Sequence, residues 1–270
     1  MRKIITIIAL LALIVVPVFA KRGNKITIAG STTVLPIAQA CAESYMDMHP
    51  DVNISVRGGG SSVGIANIIA GTVDIGDASR HIKSKELTQA RENGINPYEN
   101  VVANDGIAVV VHFNNTMNAL TLSQLKDIFT GTVQNWKDVG GPNMPIVVVS
   151  RDVSSGTFEV FNSKVLQNAK GADGSLMLAS NNAVATTVGQ TPGAIGYIGL
   201  GYMTDELKAL TIDGVMPSKK TIQTKEYPIS RTLHMYTNGS PKGLVKGFID
   251  FVLSSEGQQI VEEQGFISVD

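Results

Sequence analysis

The sequence predicts an α/β protein, and three observations support this prediction. Short β-branched runs alternate along the chain with amphipathic stretches of helical period. Three of these runs end in clusters of Ser, Thr and Gly that lead directly into the next helical stretch. No internal repeat and no low-complexity linker divides the 270 residues, and the 43% hydrophobic and 17% charged composition is that of an ordinary globular chain.

The first half of the chain predicts strands at residues 25–29, 53–57 and 73–76, and helices at 34–48, 63–70 and 84–92. Residues 101–112 form a long apolar stretch interrupted by Asn104, Asp105 and Gly106. Such a polar break fits a crossover between two lobes. The second half predicts a helix at 122–129, a strand at 146–150, a helix at 157–166, an extended segment at 227–236 and two helices within 243–264.

The N-terminal segment predicts export. Arg2 and Lys3 precede an apolar run over residues 4–16, and Pro17 to Ala20 ends the segment with the small residues that suit a signal peptidase. We expect residues 1–20 to be a signal peptide and the mature protein to be periplasmic or otherwise extracytoplasmic. The alternative is a membrane anchor, but the run is shorter than the roughly 20 residues that a spanning helix needs.

Charge excludes some partners. Loss of residues 1–20 would leave 20 basic and 23 acidic residues, a net charge of −3. A nucleic-acid-binding protein would normally carry a basic surface, so we expect no nucleic-acid partner. Any anion site must therefore depend on local geometry.

Cysteine and histidine predict neither catalysis nor a metal site. Cys41 is the single cysteine, which excludes an intrachain disulfide, and its helical face is apolar, which predicts a buried side chain. His49, His81, His112 and His234 are scattered without metal-ligand spacing.

The three Ser/Thr/Gly turns occupy residues 29–33, 57–62 and 150–157. The first N–H groups of a helix lack internal partners, and the helix dipole adds partial positive charge there. Glycine allows close backbone approach to an anion, and hydroxyls add donors without formal charge. One such turn would be interpreted more simply as an N-cap, but three in one chain indicate an anion site.

Arg151 lies in the third turn, and its planar guanidinium can donate two parallel hydrogen bonds to a tetrahedral oxyanion. The alternative is a surface ion pair with Asp152 or Glu159. Nucleotide sites are not indicated, because the chain contains no P-loop motif and Val63 occupies the place of the third glycine of a dinucleotide motif.

Seven segments, in order over nearly the whole mature chain, carry a resemblance to a known family. They are GSTTVLP at 30–36, GGGSSVG at 58–64, VDIGDASR at 73–80, DGIAV at 105–109, RDVSSGT at 151–157, PGAIGY at 192–197 and YPISR at 227–231. The set resembles the phosphate-binding proteins of the high-affinity phosphate ABC transporter.

The resemblance implies a two-lobed periplasmic-binding-protein fold of type II, with two crossover strands and the ligand in the cleft between the lobes. Residues 21–104 and 228–270 would form lobe I, and residues 105–227 would form lobe II. The crossovers would lie near 104–106 and 227–231.

The resemblance also implies a ligand site, and residues 192–197 and 227–231 would shape the scaffold around it. The expected ligand-binding residues are Ser31, Thr32, Thr33, Ser61, Ser79, Asp105, Arg151, Ser155, Gly156 and Thr157.

Two departures from the family bear on selectivity. Some members have an aspartate where this chain has Ser79 and another where it has Val153. A carboxylate can accept the proton that phosphate retains at neutral pH while repelling sulfate. Asp105 is the first candidate for that acceptor, and Asp77 and Asp152 are weaker candidates. The alternative for Asp105 is a turn residue hydrogen-bonded to its own backbone.

The predicted function is therefore reversible binding of inorganic phosphate by a monomer that needs no cofactor, followed by delivery to a membrane-embedded ABC transporter permease. One alternative is the same fold with sulfate, molybdate or tungstate as ligand. A second is a phosphate-ester hydrolase, for which no partner base or metal cluster is apparent. A third is a secreted adhesion or scavenging protein that never contacts a transporter.

Overall fold

The computed structural model describes residues 24–269, and these residues alternate between strand and helix as predicted. The predicted signal peptide at residues 1–20 lies outside the described residues. No helix among those described is both long enough and apolar enough to span a bilayer.

Within residues 24–269 the chain forms eleven strands. They are β1 (Lys25–Gly30), β2 (Asn53–Gly58), β3 (Ile75–Ala78), β4 (Pro97–His112), β5 (Ala119–Leu120), β6 (Val147–Arg151), β7 (Leu176–Leu178), β8 (Ala194–Gly199), β9 (Leu207–Ala209), β10 (Thr211–Ile212) and β11 (Ser230–Asn238).

The same described residues form nine α-helices. They are α1 (Leu35–Met48), α2 (Ser61–Ile69), α3 (Ser84–Glu92), α4 (Leu122–Phe129), α5 (Gly156–Phe161), α6 (Asn181–Gln190), α7 (Lys219–Gln223), α8 (Gly243–Val252) and α9 (Ser255–Glu263). Two short 3-10 helices (Trp136–Val139 and Leu200–Tyr202) and one π-helical turn (Asn162–Leu166) lie between them.

One sheet orders its strands β2-β1-β3-β11-β4-β8-β6-β7, and β9 also pairs with β4. The strands β2, β1 and β3 are parallel, whereas β11 is antiparallel to both β3 and β4. The long strand β4 belongs to both halves of the sheet. Its residues 97–106 pair with β11, and residues 107–112 pair with β8 and β9.

Each half of the sheet packs against its own apolar core. In the first half, α1 and α8 bury Cys41 and Phe248 against β1. In the second half, Trp136, Phe161 and Tyr197 pack around the end of β4. The predicted burial of Cys41 is confirmed, and burial raises the pKa of its thiol to about 12, so the thiol is protonated and inert at neutral pH.

Local sequence explains several element boundaries. Residues 107–111 are an apolar run that is fully buried on both faces, as expected for a strand between covered layers. Thr121 and Gln124 form a reciprocal capping box that starts α4, with Thr121 Oγ1 accepting from the Gln124 N–H at 3.1 Å.

The predicted elements differ from the structure in detail. The bounds of α3 and α4 are as predicted, but α2 begins at Ser61 rather than at residue 63, and β3 begins two residues late. The helix predicted at 157–166 leaves the α conformation after Phe161, and a π turn carries the chain on to Leu166. The prediction omitted α6, which lies beside the site described below.

The polar break at residues 104–106 does not interrupt β4, because these residues pair with β11. Ser230 lies opposite Gly106, and Arg231 lies opposite Asp105. The two predicted crossovers are therefore neighbouring strands, and β4 changes partner just after them. The lobe boundaries after residues 104 and 227 stay a prediction.

Gly64 permits α2 to lie directly on the ends of two strands. A Cβ added there would lie 2.4 Å from Asp77 O and 2.8 Å from Ala29 O, which are backbone atoms that cannot rotate away. We expect Gly64→Ala to lower the free energy of unfolding by about 2 kcal/mol, as overpacking of a core does, measured by urea denaturation. Gly171→Ala is the matched control, because a Cβ there would approach only Phe129 O, at 3.8 Å. Equal stability of the two variants would contradict the prediction.

Candidate anion-binding site

The three predicted turns lie together, at ends of strands from both halves of the sheet. Thr33 Oγ1 in the first turn is 3.1 Å from Thr157 Oγ1 in the third. The Ser62 N–H in the second turn donates to Ser154 O in the third at 3.0 Å. Residues more than 120 positions apart thus form one continuous polar surface.

Gly156 lets the second and third turns approach each other. A Cβ at this position would lie 2.3 Å from Ser61 Oγ and 2.7 Å from Ser79 Oγ, so no larger residue fits without displacing them. Ser61 Oγ also accepts from the Ser79 N–H at 2.9 Å. Ser61, Ser79 and Gly156 are all buried.

Two of the predicted serines serve as helix caps. Ser31 Oγ accepts from the N–H groups of Thr33 and Val34 at 3.1 and 3.3 Å, at the start of α1. Ser155 Oγ accepts from the Phe158 N–H at 3.2 Å, at the start of α5. Each hydroxyl accepts from the start of a helix and keeps its proton as a donor.

Arg151 is 1% exposed at the end of β6. Its Nε donates to Leu178 O at 3.0 Å, and its Nη2 donates to Ala179 O at 3.0 Å and to Thr32 Oγ1 at 3.2 Å. Among the described residues, Nη1 is buried and has no hydrogen-bond partner. The described residues also include no ion pair of Arg151 with Asp152 or Glu159, so the guanidinium is not part of a surface pair.

Asn181 lies at the same place, although the sequence analysis did not identify it. Its Nδ2 donates to Thr33 Oγ1 at 3.0 Å and to Thr32 Oγ1 at 3.3 Å, and its Oδ1 accepts from the Gly199 N–H at 3.1 Å. A signal was available, because Ser180 and Asn181 follow β7 and open α6. This is a fourth polar turn between a strand and a helix, although it lacks the glycine present in the other three.

Arg231 was expected to shape the scaffold, but the structure places its guanidinium against the first and third turns. Nη1 donates to Thr157 Oγ1 at 3.0 Å, and Nη2 donates to Thr33 Oγ1 at 3.3 Å. The reason is the register of β11, which puts Arg231 directly opposite Asp105 on β4. Arg231 Nε and Nη2 both donate to Asp105 Oδ2, at 2.9 and 2.8 Å.

Asp105 lies within a strand, so the alternative of a turn residue is wrong. Its carboxylate is fully buried and has three donors, because Oδ1 also accepts from the Leu200 N–H at 2.9 Å. Burial raises the pKa of Asp105, while Arg231 and the Leu200 N–H oppose that rise.

The buried charges of this surface do not cancel. Burial lowers the pKa of Arg151 to about 10 and also lowers that of Arg231. An arginine guanidinium is not deprotonated in proteins, so both side chains carry charge at pH 7. Among the described residues, Asp105 supplies the one carboxylate that hydrogen-bonds either of them. The arrangement is therefore a cationic surface, rich in hydroxyl groups and nearly closed to solvent, and such a surface favours an anion.

Comparison with known proteins agrees with this chemistry. A family model described as a PBP superfamily domain matches residues 18–256. The phosphate-binding protein PstS of Bacillus subtilis is 38% identical over 251 residues, which are 92% of this chain and 82% of that one. The chain belongs to the PstS-like family of phosphate-binding proteins. Its PstS relative from Borreliella burgdorferi is 32% identical, and the match covers 100% of this chain and 99% of that one.

Solved structures of the family have the same fold. One is the crystal structure, with bound phosphate, of a Clostridium perfringens protein described as a phosphate ABC transporter substrate-binding protein. It aligns with this chain with a TM-score of 0.85 at 38% identity. The alignment covers 92% of this chain and all of that one. An ABC-type phosphate transport receptor from Vibrio cholerae aligns with a TM-score of 0.75 at 32% identity, covering 90% and 99% of the two chains.

The two departures from the family pattern lie in different surroundings. Ser79 is buried beside Ser61, whereas the side chain of Val153 is 74% exposed. Among the described residues, neither of the weaker acceptor candidates hydrogen-bonds Arg151 or Arg231. Asp152 Oδ1 accepts from the Ser154 N–H at 2.7 Å, and burial raises the pKa of Asp77 well above its usual range.

The Asp105–Arg231 pair predicts a pH-dependent stability. We expect Arg231→Met to lower the free energy of unfolding by about 3 kcal/mol at pH 7, because it leaves a buried carboxylate unpaired. Without Arg231 the folded-state pKa of Asp105 rises further above its unfolded value of about 3.9. The folded variant then takes up a proton more readily than its unfolded chain, so the loss shrinks as the pH falls through that raised pKa.

Urea denaturation between pH 7 and pH 5 measures this effect. The double variant Asp105→Asn with Arg231→Met is the control, since it removes both charges and should recover part of the stability at pH 7. A loss that is the same at both pH values would contradict the assignment of the pair.

Proposed function

We propose that the protein binds inorganic phosphate between the three turns and the two buried arginines, and delivers it to a membrane ABC transporter as an exported, extracytoplasmic monomer. The observation that carries this proposal is the Arg151 guanidinium, which is held in place by three hydrogen bonds while its buried Nη1 keeps unused donors. A buried, charged donor without a partner is costly unless a ligand accepts from it.

The donor set suits a small tetrahedral oxyanion. Arg151 donates to the hydroxyl of Thr32 at 3.2 Å, and Arg231 donates to the hydroxyls of Thr33 and Thr157 at 3.3 and 3.0 Å. Charged and neutral donors therefore converge from several directions. Each hydrogen bond to a charged group contributes roughly 1.5–3 kcal/mol. Because the donors are fixed by strand ends and helix starts, little entropy is lost in orienting them.

A site enclosed by both halves of the chain implies a movement that admits the ligand. Ser61 and Thr33 precede the point where β4 changes partner, whereas Arg151 and Thr157 follow it. We propose that lobe I (residues 21–104 and 228–270) and lobe II (residues 105–227) close on phosphate by a hinge in β4 and β11. Phosphate would favour the closed state because only that state brings its donors together.

Ion pairs at the rim would stabilise the closed state. Glu159 on α5 pairs with Arg80 at 3.1 Å and with Lys83 at 2.5 Å, and Ser62 Oγ donates to its other oxygen at 3.3 Å. In the proposed division, Glu159 belongs to lobe II and its three partners to lobe I.

The experiment that tests the function is calorimetric titration of the mature protein, stripped of bound anion, with phosphate, sulfate, molybdate and tungstate. We expect tight phosphate binding and little response to the other anions. Better binding of another oxyanion would support the assigned site but identify that anion, rather than phosphate, as the ligand. Absence of binding to all four would contradict the proposal, and turnover of a phosphate ester would indicate a hydrolase.

Arg151 is the first residue to replace. We expect Arg151→Ala to weaken phosphate binding at least tenfold, because it removes a charge-assisted donor pair from a buried site. Arg57→Ala is the matched control, since Arg57 lies in the second turn but is exposed, and its affinity should be unchanged. Equal affinities of the two variants would remove Arg151 from the site.

Asp105 can be tested for its role in selectivity. Its oxygens already accept from Arg231 and from Leu200 N, so we propose that it positions Arg231 rather than accepting the phosphate proton. We expect Asp105→Asn to weaken phosphate binding about tenfold, the effect of losing one charge-assisted contact, without any gain in sulfate binding. A gain in sulfate affinity, measured by the same titration, would instead identify Asp105 as the acceptor that discriminates phosphate from sulfate.

A further inference from the structure

Three residues distant in sequence meet where the segment after β3 lies beside β4 and β11. His81 follows β3, Glu99 lies on β4 and His234 lies on β11. Their potential ligand atoms all lie within 4.8 Å of one another, and no other group of this kind is found among residues 24–269. The sequence predicted no metal site because these histidines are 153 positions apart and share no spacing motif.

The distances within the cluster are short. Glu99 Oε1 is 2.8 Å from His81 Nδ1 and 3.2 Å from His234 Nδ1. The centroids of the two imidazole rings are 4.6 Å apart. In a tetrahedral zinc site with bonds of about 2.1 Å, neighbouring ligand atoms lie about 3.4 Å apart, so small side-chain rotations would accommodate an ion.

His234 is oriented as a ligand would be. Its Nε2 is 3.0 Å from Thr232 Oγ1. Its buried Nδ1 faces Glu99 Oε1 at 3.2 Å but, among the described residues, has no partner in hydrogen-bond geometry. A histidine that binds a metal through one nitrogen usually has the other fixed by such a contact.

Glu99 is likewise held from outside the cluster, because the Tyr236 hydroxyl donates to its Oε1. The side chain of His81 is 71% exposed, which gives an ion access from solvent. The cluster thus combines a fixed, buried ligand with an open side.

We propose that His81 Nδ1, His234 Nδ1 and Glu99 Oε1 bind one divalent transition-metal ion, with Zn²⁺ as the best fit. Two imidazoles and one carboxylate are a ligand set that zinc accepts, with water as the fourth ligand. Mg²⁺ and Ca²⁺ prefer oxygen ligands and do not suit it. A bound ion would link the segment after β3 to β4 and β11. Its ligand His81 is the residue after Arg80, and its ligand His234 is three residues after Arg231.

Calorimetric titration of ZnCl2 into the untagged mature protein, in phosphate-free buffer, tests the proposal. We expect one equivalent of Zn²⁺ to bind the wild type, and we expect His81→Gln and Glu99→Gln each to weaken binding at least tenfold. His49→Gln is the matched control, because His49 is exposed in the same half of the chain and lies outside the cluster. These variants avoid His234, because a substitution at this fully buried position would disturb the packing around it.

Thermal unfolding gives a second readout. At a Zn²⁺ concentration 100-fold above the wild-type Kd, we expect the Tm of the wild type and of His49→Gln to rise by roughly 5 °C, and that of His81→Gln to rise by no more than about half as much. Absence of zinc binding to the wild type would overturn the proposal. Equal zinc affinity in all four proteins would also overturn it, because the ion would then bind elsewhere.

Discussion

The ion pair between Asp105 and Arg231 is the contact on which the rest of the site depends. It joins β4 to β11 at directly opposite positions, next to the point where β4 changes partner from one half of the sheet to the other. It also aims Arg231 at the first and third turns, within hydrogen-bond distance of Thr33 and Thr157. A buried pair of this kind is weak evidence for stability, because desolvation offsets much of the attraction. Here the pair instead fixes the position of the Arg231 guanidinium.

Charge in the site is local rather than global. The chain carries 22 basic and 23 acidic residues, so the long-range field does not attract anions. At the site itself positive charge is in excess, because the buried guanidiniums of Arg151 and Arg231 are accompanied by one hydrogen-bonded carboxylate, that of Asp105. There the low dielectric strengthens each contact, and neutral hydroxyls add donors without further charge to desolvate. Such a site can hold an anion tightly in an acidic protein.

Pairing of β4 with β11 also creates the histidine cluster. Two of the three proposed ligands lie on these strands, Glu99 on β4 and His234 on β11, and a bulge between Leu233 and His234 alters the register there. The same two strands therefore support the anion surface at Arg231 and the proposed metal site at His234. Since β4 and β11 are also the segments proposed to act as the hinge, an ion at the cluster would bind beside the moving part of the molecule.

The sequence by itself determined the α/β class, the family, and most of the strands and helices of the first half, because their apolar periodicity is strong and local. It also identified Arg151 and the hydroxyl turns, because glycine, serine and threonine before a helix have a recognisable local chemistry. Only the tertiary structure placed Arg231 and Asn181 beside Thr33, and only it joined His81 to His234. These neighbours depend on strand register and on the order of strands in the sheet, and both are decided by packing between segments more than 100 residues apart.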